Sequence, residues 1–417
     1  VKRIYIKLLN ILTVIYRLIF LSLCLYPLIL ASKVWWTRKK KRSPKSVLIL
    51  AAFWKGNAGY EYRVARWAEI LRLDGYDVDV QTCYSELEFN KWVNNNSFWL
   101  YIKPAWRRFF QVLRSANYEL VIVRREVLIY NEYGNLFLER LLLRMHPEAI
   151  LDFDDDLAAA KSGLAKESMF GKLLFQAHDK FDVSISMYKY FLPGSPFLAE
   201  RFLFKQVRTS EILQQSRFLV LPTCVDYEQD MPRDYQRNPV VSPVRLGWIG
   251  SVGNLYLLDH LVPSLNRLHS LIPVELVVIS GLAYSMPVNF PIQNIPWSMS
   301  TQLDSLRQID IGLMPLLGDN KDSGKCGFKL IQYMGIGVVS VASAVGVNSQ
   351  IIQDKVNGFL VEQGQDWDCV LQSIIGQADQ FASIGDSARQ TIHARYSFSA
   401  NKQPLIKFLE NVRARVA

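Results

Sequence analysis

The chain has 417 residues, enough for two ordinary domains with material left over, and it is 50% hydrophobic and 21% charged, which excludes a disordered tail. Its formal net charge of +10 suits nucleic acid, an anionic membrane surface or a phosphorylated substrate equally well, so the placement of the basic residues has to decide. The cysteines, Cys24, Cys83, Cys224, Cys326 and Cys369, lie far apart with no C-x-x-C pair, which argues against both a disulfide framework and a thiolate zinc site.

Residues 8–31 are almost continuously apolar, broken by Asn10, Thr13, Arg17, Ser22 and Pro27, and are followed by Trp35-Trp36 and the run Arg38-Lys39-Lys40-Lys41-Arg42. A bilayer core needs ~20 apolar residues, so residues 1–45 are expected to form an anchor with a polybasic flank against an anionic membrane surface. An embedded Arg17 would cost roughly 2.5–3.5 kcal/mol at mid-membrane, which leaves both a spanning and an in-plane helix open. A cleaved signal peptide competes, but the basic flank resists translocation. The expectation is an inner or plasma membrane protein with its catalytic part in the cytoplasm. Basic residues that cluster beside the anchor, with no recognition motif, give no role for nucleic acid.

Residues 47–53 read as a buried strand, Gly56-Asn57-Ala58-Gly59 as a loop, and a helix follows from residue 62 or 63 to about 73. Further strands are expected at 76–82, 120–124, 149–153, 183–186 and 218–221, with helical patterns between several of them. Such alternation predicts a Rossmann-like doubly wound parallel sheet over residues 46–225, with ligands at the carboxyl ends of its strands. Residues 98–110 mix aromatics with cations, which suits either a membrane interface or a helix packed on the core. The acidic run Asp152-Phe153-Asp154-Asp155-Asp156 follows a strand directly. It reads as a metal site, as a contact with or base for an acceptor hydroxyl (Asp154 or Asp155), or as a helix cap.

Residues 226–243 turn polar and carry Pro232, Pro239 and Pro243, as an interdomain linker does. A second Rossmann-like unit is expected over 244–395, opening with Val244-Arg245-Leu246-Gly247-Trp248-Ile249-Gly250-Ser251 and a helix from Asn254 to His269. Ser251 and nearby backbone N–H groups are placed to meet a nucleotide phosphate. A strand at 274–280 follows, and Ile295-Pro296-Trp297 is a candidate wall for a base. Residues 322–343 then change grammar twice. A glycine loop with Gly324 and Gly327 opens a helix whose apolar face is Leu330, Ile331 and Met334, Gly337 stops it, and a buried strand follows. Lys325 and Lys329, four apart at a helix entrance with free N–H groups, form either a diphosphate site or an ordinary solvated helix start. Residues 396–417 are expected as a last helix.

With Asp310-Ile311-Gly312-Leu313-Met314-Pro315-Leu316 before it and Ala344-Val345-Gly346-Val347-Asn348 after it, this segment resembles the donor site of GT-B glycosyltransferases of family 4, retaining enzymes. The resemblance covers residues 244–360 well and the first half in outline. That family usually carries two glutamates separated by seven residues here; anchored on Met334 and Gly337, those positions fall on Gly324 and Gln332. The pattern is that of a divergent branch.

The resemblance implies an α/β GT-B fold, two Rossmann-like domains facing a cleft, with the last helix crossing back to the first domain. It also implies transfer from a nucleotide diphosphate sugar to a lipid-linked or cell-envelope glycan, with no metal or other cofactor required. On this reading Lys325, Lys329 and Asp154 are catalytic. Gly250, Ser251, Asn254, Gly327, Phe328 and Gln332 bind the donor, and Gly56, Asn57, Gly59, Arg63 and Asp155 meet the acceptor. The alternatives are a metal-dependent GT-A-like transferase using Asp152 and Asp154, and a membrane-anchored scaffold that has lost both glutamates.

Overall fold

The computed structural model describes residues 44–95, 98–128, 136–157, 180–204, 217–227, 230–318 and 320–415. The expected anchor, residues 8–31, lies outside them. The inner or plasma membrane placement is corrected: among the described residues no helix is long and apolar enough to cross a membrane.

Two parallel sheets organise the chain. The first is made of β1 (Ser46–Ala51), β2 (Asp77–Thr82), β3 (Leu120–Arg124), β4 (Ile150–Phe153) and β5 (Tyr190–Pro193), in the order β2-β1-β3-β4-β5. The second is made of β6 (Val244–Ile249), β7 (Val274–Ser280), β8 (Ile292–Pro296), β9 (Ile311–Met314), β10 (Val339–Ser343) and β11 (Phe359–Val361), in the order β11-β10-β9-β6-β7-β8. Runs such as Ser-Val-Leu-Ile-Leu-Ala in β1 are buried throughout, because helices cover both faces of a parallel sheet. The order reverses between β1 and β3 in one sheet and between β6 and β9 in the other. Such switch points open a crevice at the strands' carboxyl ends.

Three expected elements differ. Residues 183–186 belong to a helix, α1 (Lys180–Met187). Val-Ser-Ile-Ser alternates like a strand, but Phe181, Ser184, Ile185 and Tyr188 are the buried positions, a helical period. Residues 218–221 stay extended beside β5 with one bridge, Phe191 to Phe218, instead of a regular strand. The helix expected from Asn254 is broken, with its main part at α2 (Val262–Leu271), where Pro263 occupies the first turn and cannot continue an earlier helix. Residues 98–110 fall in the helix Phe98–Arg114, which turns Phe109 and Val112 to the core. Arg108 there is fully buried and donates to the carbonyl of Ala51 at 2.5 Å, at the end of β1.

In the second lobe α3 (Phe328–Gly335) is seated by one contact. Gly247 and Gly312 are neighbours on β6 and β9, and a Cβ on Gly312 would stand 2.6 Å from the ring of Tyr333. The ring therefore lies against bare backbone, and its hydroxyl accepts from the Ile249 N–H at 2.9 Å. This fixes the last turn of α3 over the switch point.

The lobes are joined twice. After α4 (Phe381–Tyr396) the chain turns at Ser397 into α5 (Phe398–Arg413), whose Phe398, Leu405, Phe408, Leu409 and Val412 pack with Val47, Ile49 and Trp67 of the first lobe. The other crossover runs beside it, with Val225 N–H donating to Tyr396 O at 3.0 Å.

The stretch between the sheets is pinned by Asp310, fully buried before β9. It accepts from Arg233 at 2.7 Å and from Arg245 at 3.0 Å, and its carbonyl accepts from the Tyr235 hydroxyl at 2.7 Å. Breaking a buried ion pair from one side leaves an uncompensated charge and costs about 3–5 kcal/mol. Asp310→Asn is expected to lower the stability of the second lobe by that amount in equilibrium urea unfolding; a change below about 1 kcal/mol would show that the pin carries no weight.

Candidate active site

On the first lobe's wall the acidic run is divided among arginines. Asp152 is buried and paired with Arg63 and, at 3.5 Å, Arg124; Asp154 pairs with Arg124 at 2.7 Å, and Asp156 with Arg201 at 2.7 Å. Burial alone would raise the Asp154 pKa, but Arg124 and Arg63 outweigh it and hold it at about 2. Asp155 is different. It keeps accessible surface although protein encloses it, as on a cleft wall, and removal from water, then the charge of Asp154, raise its pKa.

The loop after β1 lies beside this run. Asn57 caps the following turn, its Oδ1 accepting from Gly59 N–H at 2.9 Å, and a Cβ on Gly59 would be 3.9 Å from the Arg124 guanidinium. Gly56 is exposed, with φ +95°, and its N–H donates to Glu61 at 2.7 Å.

The second lobe's wall is cationic. Lys325 donates to Asn254 Oδ1 at 3.1 Å, and Asn254 donates to Ser251 Oγ at 2.9 Å. Gly327, left-handed at φ +66°, opens α3. Lys329, in the first turn of α3 with Lys325 in the loop before it, lies half-buried with its ammonium 5.1 Å from the Trp248 ring centroid. Gly250 makes this possible, because a Cβ there would meet the Trp248 ring at 2.5 Å and the Lys329 Cε at 2.8 Å. Removal from water, then repulsion from Lys325, lowers the Lys329 pKa to about 7, with Asp155 and Asp322 pulling the other way. Asp322 is buried and accepts from Leu317 N–H at 2.6 Å, and its own carbonyl accepts from Lys325 N–H at 3.1 Å, which fixes the loop carrying the lysines.

The walls touch. Cys326 Sγ donates to the Asp154 carbonyl, and a Cβ on Gly324 would stand 2.3 Å from that of Asp156. Tyr62 packs edge-on to Phe328 at 4.7 Å between ring centroids, and its hydroxyl accepts from Gln302 Nε2. Gln332, nearly buried, donates to Gln302 Oε1 at 3.3 Å. Burial, then Asp154 and Asp155, push the Cys326 thiol well above its ordinary pKa, the reverse of what a thiolate nucleophile needs.

Gly250, Ser251, Asn254, Gly327, Lys325, Lys329 and Asp155 thus come to one cleft. Arg63 is corrected: its side chain is fully buried, donating to Leu221 O at 2.6 Å and to Asp152, so it braces the sheet edge and cannot meet an acceptor. The metal reading of Asp152 and Asp154 is corrected too, since guanidinium groups occupy both. Among the described residues no group of three or more His, Cys, Asp or Glu is placed to hold a metal ion. Phe328 and Gln332 are engaged with Tyr62 and Gln302. Sequence reasoning missed Arg124 and Arg125, although two cations directly after the apolar run Leu120–Val123 mark a strand's carboxyl end. Arg125 sits at φ +74°, rare for a residue with a side chain, with its guanidinium 5.5 Å from the Phe53 ring centroid.

Residues 245–376 match the family model described as Glycosyl transferases group 1. The match falls within the second lobe. Sucrose-phosphate synthase from Thermosynechococcus elongatus is similar in structure, with TM-score 0.60 and 12% identity over 89% of this chain and 99% of that one. Anabaena HepE in complex with UDP-glucose has TM-score 0.59 and 13% identity over 88% and 99%. The catalytic domain of Arabidopsis thaliana starch synthase IV, bound to ADP and acarbose, has TM-score 0.57 and 11% identity over 88% and 99%. No curated protein matches the chain in sequence. The fold is GT-B, and the chain is a glycosyltransferase.

A group titrating near 7 makes nucleotide binding depend on pH. The protonated form of Lys329 is the one a diphosphate favours, so above the free pKa each binding event takes up a proton and affinity falls by up to about tenfold per pH unit. Calorimetric titration of the nucleoside diphosphate that binds is expected to show weakening between pH 6.5 and 9, and Lys329→Arg, charged throughout, is expected to flatten the profile. An equal slope in both proteins would remove Lys329 from the binding step. Gly250→Ala, whose Cβ would press on the Trp248 ring and the Lys329 stem, is expected to lower stability by about 1–3 kcal/mol in urea unfolding and to weaken the same binding at pH 6.5.

Proposed function

We propose that the cleft transfers a sugar, with retention, from a nucleotide diphosphate sugar to a hydroxyl of a glycan acceptor. The observation that carries this is the convergence of Lys325, Lys329, the backbone at Ser251 and the entrance of α3, opposite the carboxylate of Asp155. When the nucleotide departs, negative charge grows on its distal phosphate. Fixed donors and ammonium groups in an enclosed cleft stabilise that charge most where it develops. Support for the nucleotide sugar comes from the group 1 match and from HepE, solved with UDP-glucose; support for a glycan acceptor comes from starch synthase IV, solved with acarbose. Retention rests on the resemblance to family 4.

Between the two acidic candidates, Asp155 suits the acceptor better. Asp154 is held ionised near pH 2 by arginines and is a weak base, whereas Asp155 has a raised pKa and faces the lysines. Arg125, whose charge acts on Asp155, and the Asn57–Gly59 loop beside Arg124 are the remaining candidates for the acceptor side.

A thermal-shift panel of UDP, ADP and GDP tests the donor site, since a ligand at a hundred times its Kd adds about 2.7 kcal/mol. With the donor identified, Lys329→Ala is expected to lower kcat by 10²–10³ with donor saturating, the usual loss for one such electrostatic donor. Full turnover in that variant at saturating and limiting donor alike would overturn the charge-stabilising role. Offering the same sugar on free and on lipid-linked oligosaccharide separates the acceptor classes, and the product's anomeric configuration, read by NMR, tests retention.

A further inference from the structure

Where the two crossovers meet, at Val225 and Ser397, lies a cavity of about 390 Å³ lined by Val225, Tyr227, Arg389, Ile392, His393 and Ser397. Its volume falls within the roughly 300–1,000 Å³ of small-molecule sites. It is on the hinge, apart from the cleft, and none of the residues assigned to sugar transfer lines it. One end is cationic: the Nη1 of Arg389 is buried with no hydrogen-bond partner among the described residues. A guanidinium stays charged at any working pH, and its paired N–H groups match the oxygens of a carboxylate or phosphate. The Ser397 hydroxyl is committed elsewhere, donating to His393 O at 2.6 Å and accepting from the Ala400 N–H at 3.1 Å, so the anion's partner in this wall is Arg389. Val225, Ile392 and the ring of Tyr227 supply an apolar part of the wall, beside the polar Gln390 and His393.

We propose that this hinge cavity binds a small oxyanion with an apolar body, a phosphate ester or carboxylate, and that its occupancy is felt in the donor cleft. The connection is physical and short. Tyr227, in the cavity wall, has its hydroxyl 3.1 Å from that of Tyr62, and Tyr62 reaches the second lobe through Gln302 and Phe328. Gln302 in turn accepts from Gln332. The bistable element is the approach of the two lobes about their crossovers, which a ligand wedged between Val225 and Arg389 biases. Such coupling typically changes affinity by about 5–150-fold. Binding itself does not depend on the sugar-transfer reading; the coupling does.

The full chain is titrated calorimetrically with inorganic phosphate and with butyl phosphate. One site is expected, tighter for butyl phosphate by at least fivefold because of the apolar wall. Arg389→Gln should weaken butyl phosphate at least tenfold and Arg389→Lys by less, while Lys329→Gln leaves it within twofold, with thermal melting to confirm that each variant folds. No heat from butyl phosphate, unchanged binding in Arg389→Gln, or loss of binding in Lys329→Gln overturns the site. The Kd of the nucleoside diphosphate is then measured with and without saturating butyl phosphate. A shift of at least fivefold in the native chain, absent in Arg389→Gln, is the expected result, and no shift overturns the coupling. If no nucleoside diphosphate binds at all while butyl phosphate still does, the sugar-transfer reading fails and the hinge site stands.

Discussion

Four carboxylates at the end of one strand can share that space only if cations stand among them. Two like charges 4 Å apart repel by about 4 kcal/mol at an effective dielectric of 20, and the run from Asp152 to Asp156 is relieved by arginines from three other places. Arg63 comes from the turn after the first glycine loop, Arg124 from the end of β3, and Arg201 from the helix after β5. Each ion pair therefore also ties a neighbouring element to the end of β4, so that the carboxyl edge of the first sheet becomes one rigid rim. What the clamp leaves unpaired is Asp155. Its pKa is raised by removal from water and then by the neighbouring Asp154, with no ion pair among the described residues to offset them.

This clamp also shows what sequence could and could not convey. Strands were legible wherever apolar residues ran without interruption, as in β1, β3 and β10, because covering on both faces leaves no polar positions to confuse the period. Lys325 and Lys329 were legible as a pair at a helix entrance, but not through a shared helix face: Lys325 lies in the loop before Gly327, and only Lys329 is on α3. Arg63 was misjudged because a cation after a glycine loop looks available until its partner is known, and Asp152 lies 89 residues away. The bond between Gln302 and Tyr62 spans 240 residues and has no local trace. The Val-Ser-Ile-Ser run misled for the opposite reason: its local alternation was real, but packing of Phe181, Ile185 and Tyr188 overrode it.

Departure from the usual two-glutamate pattern makes sense in the charge economy of the cleft. At the second position Gln332 is only 4% exposed and sits among Gln302, Tyr62 and Tyr227, with no cation among those neighbours. A carboxylate there would be a buried charge without a partner until a ligand arrived; the amide donates to Gln302 instead. At the first position a side chain on Gly324 would collide with Asp156, so the close approach of the lobes in this arrangement depends on glycine.

The same economy governs Lys329. Pressed between Trp248 and Gly250, close to Lys325, its ammonium is disfavoured; on the proposed function, a diphosphate brings the charge that restores it. Lys325 differs, because its ammonium is held at the surface of the wall by Asn254. One lysine attracts, then, and the other responds. Positive charge is greatest where and when phosphate charge is present, and the enclosed site is spared the desolvation of a permanent cation pair. That division of labour depends on burial more than on residue type, so an equally spaced lysine pair on an open helix face would share the sequence pattern and none of the behaviour.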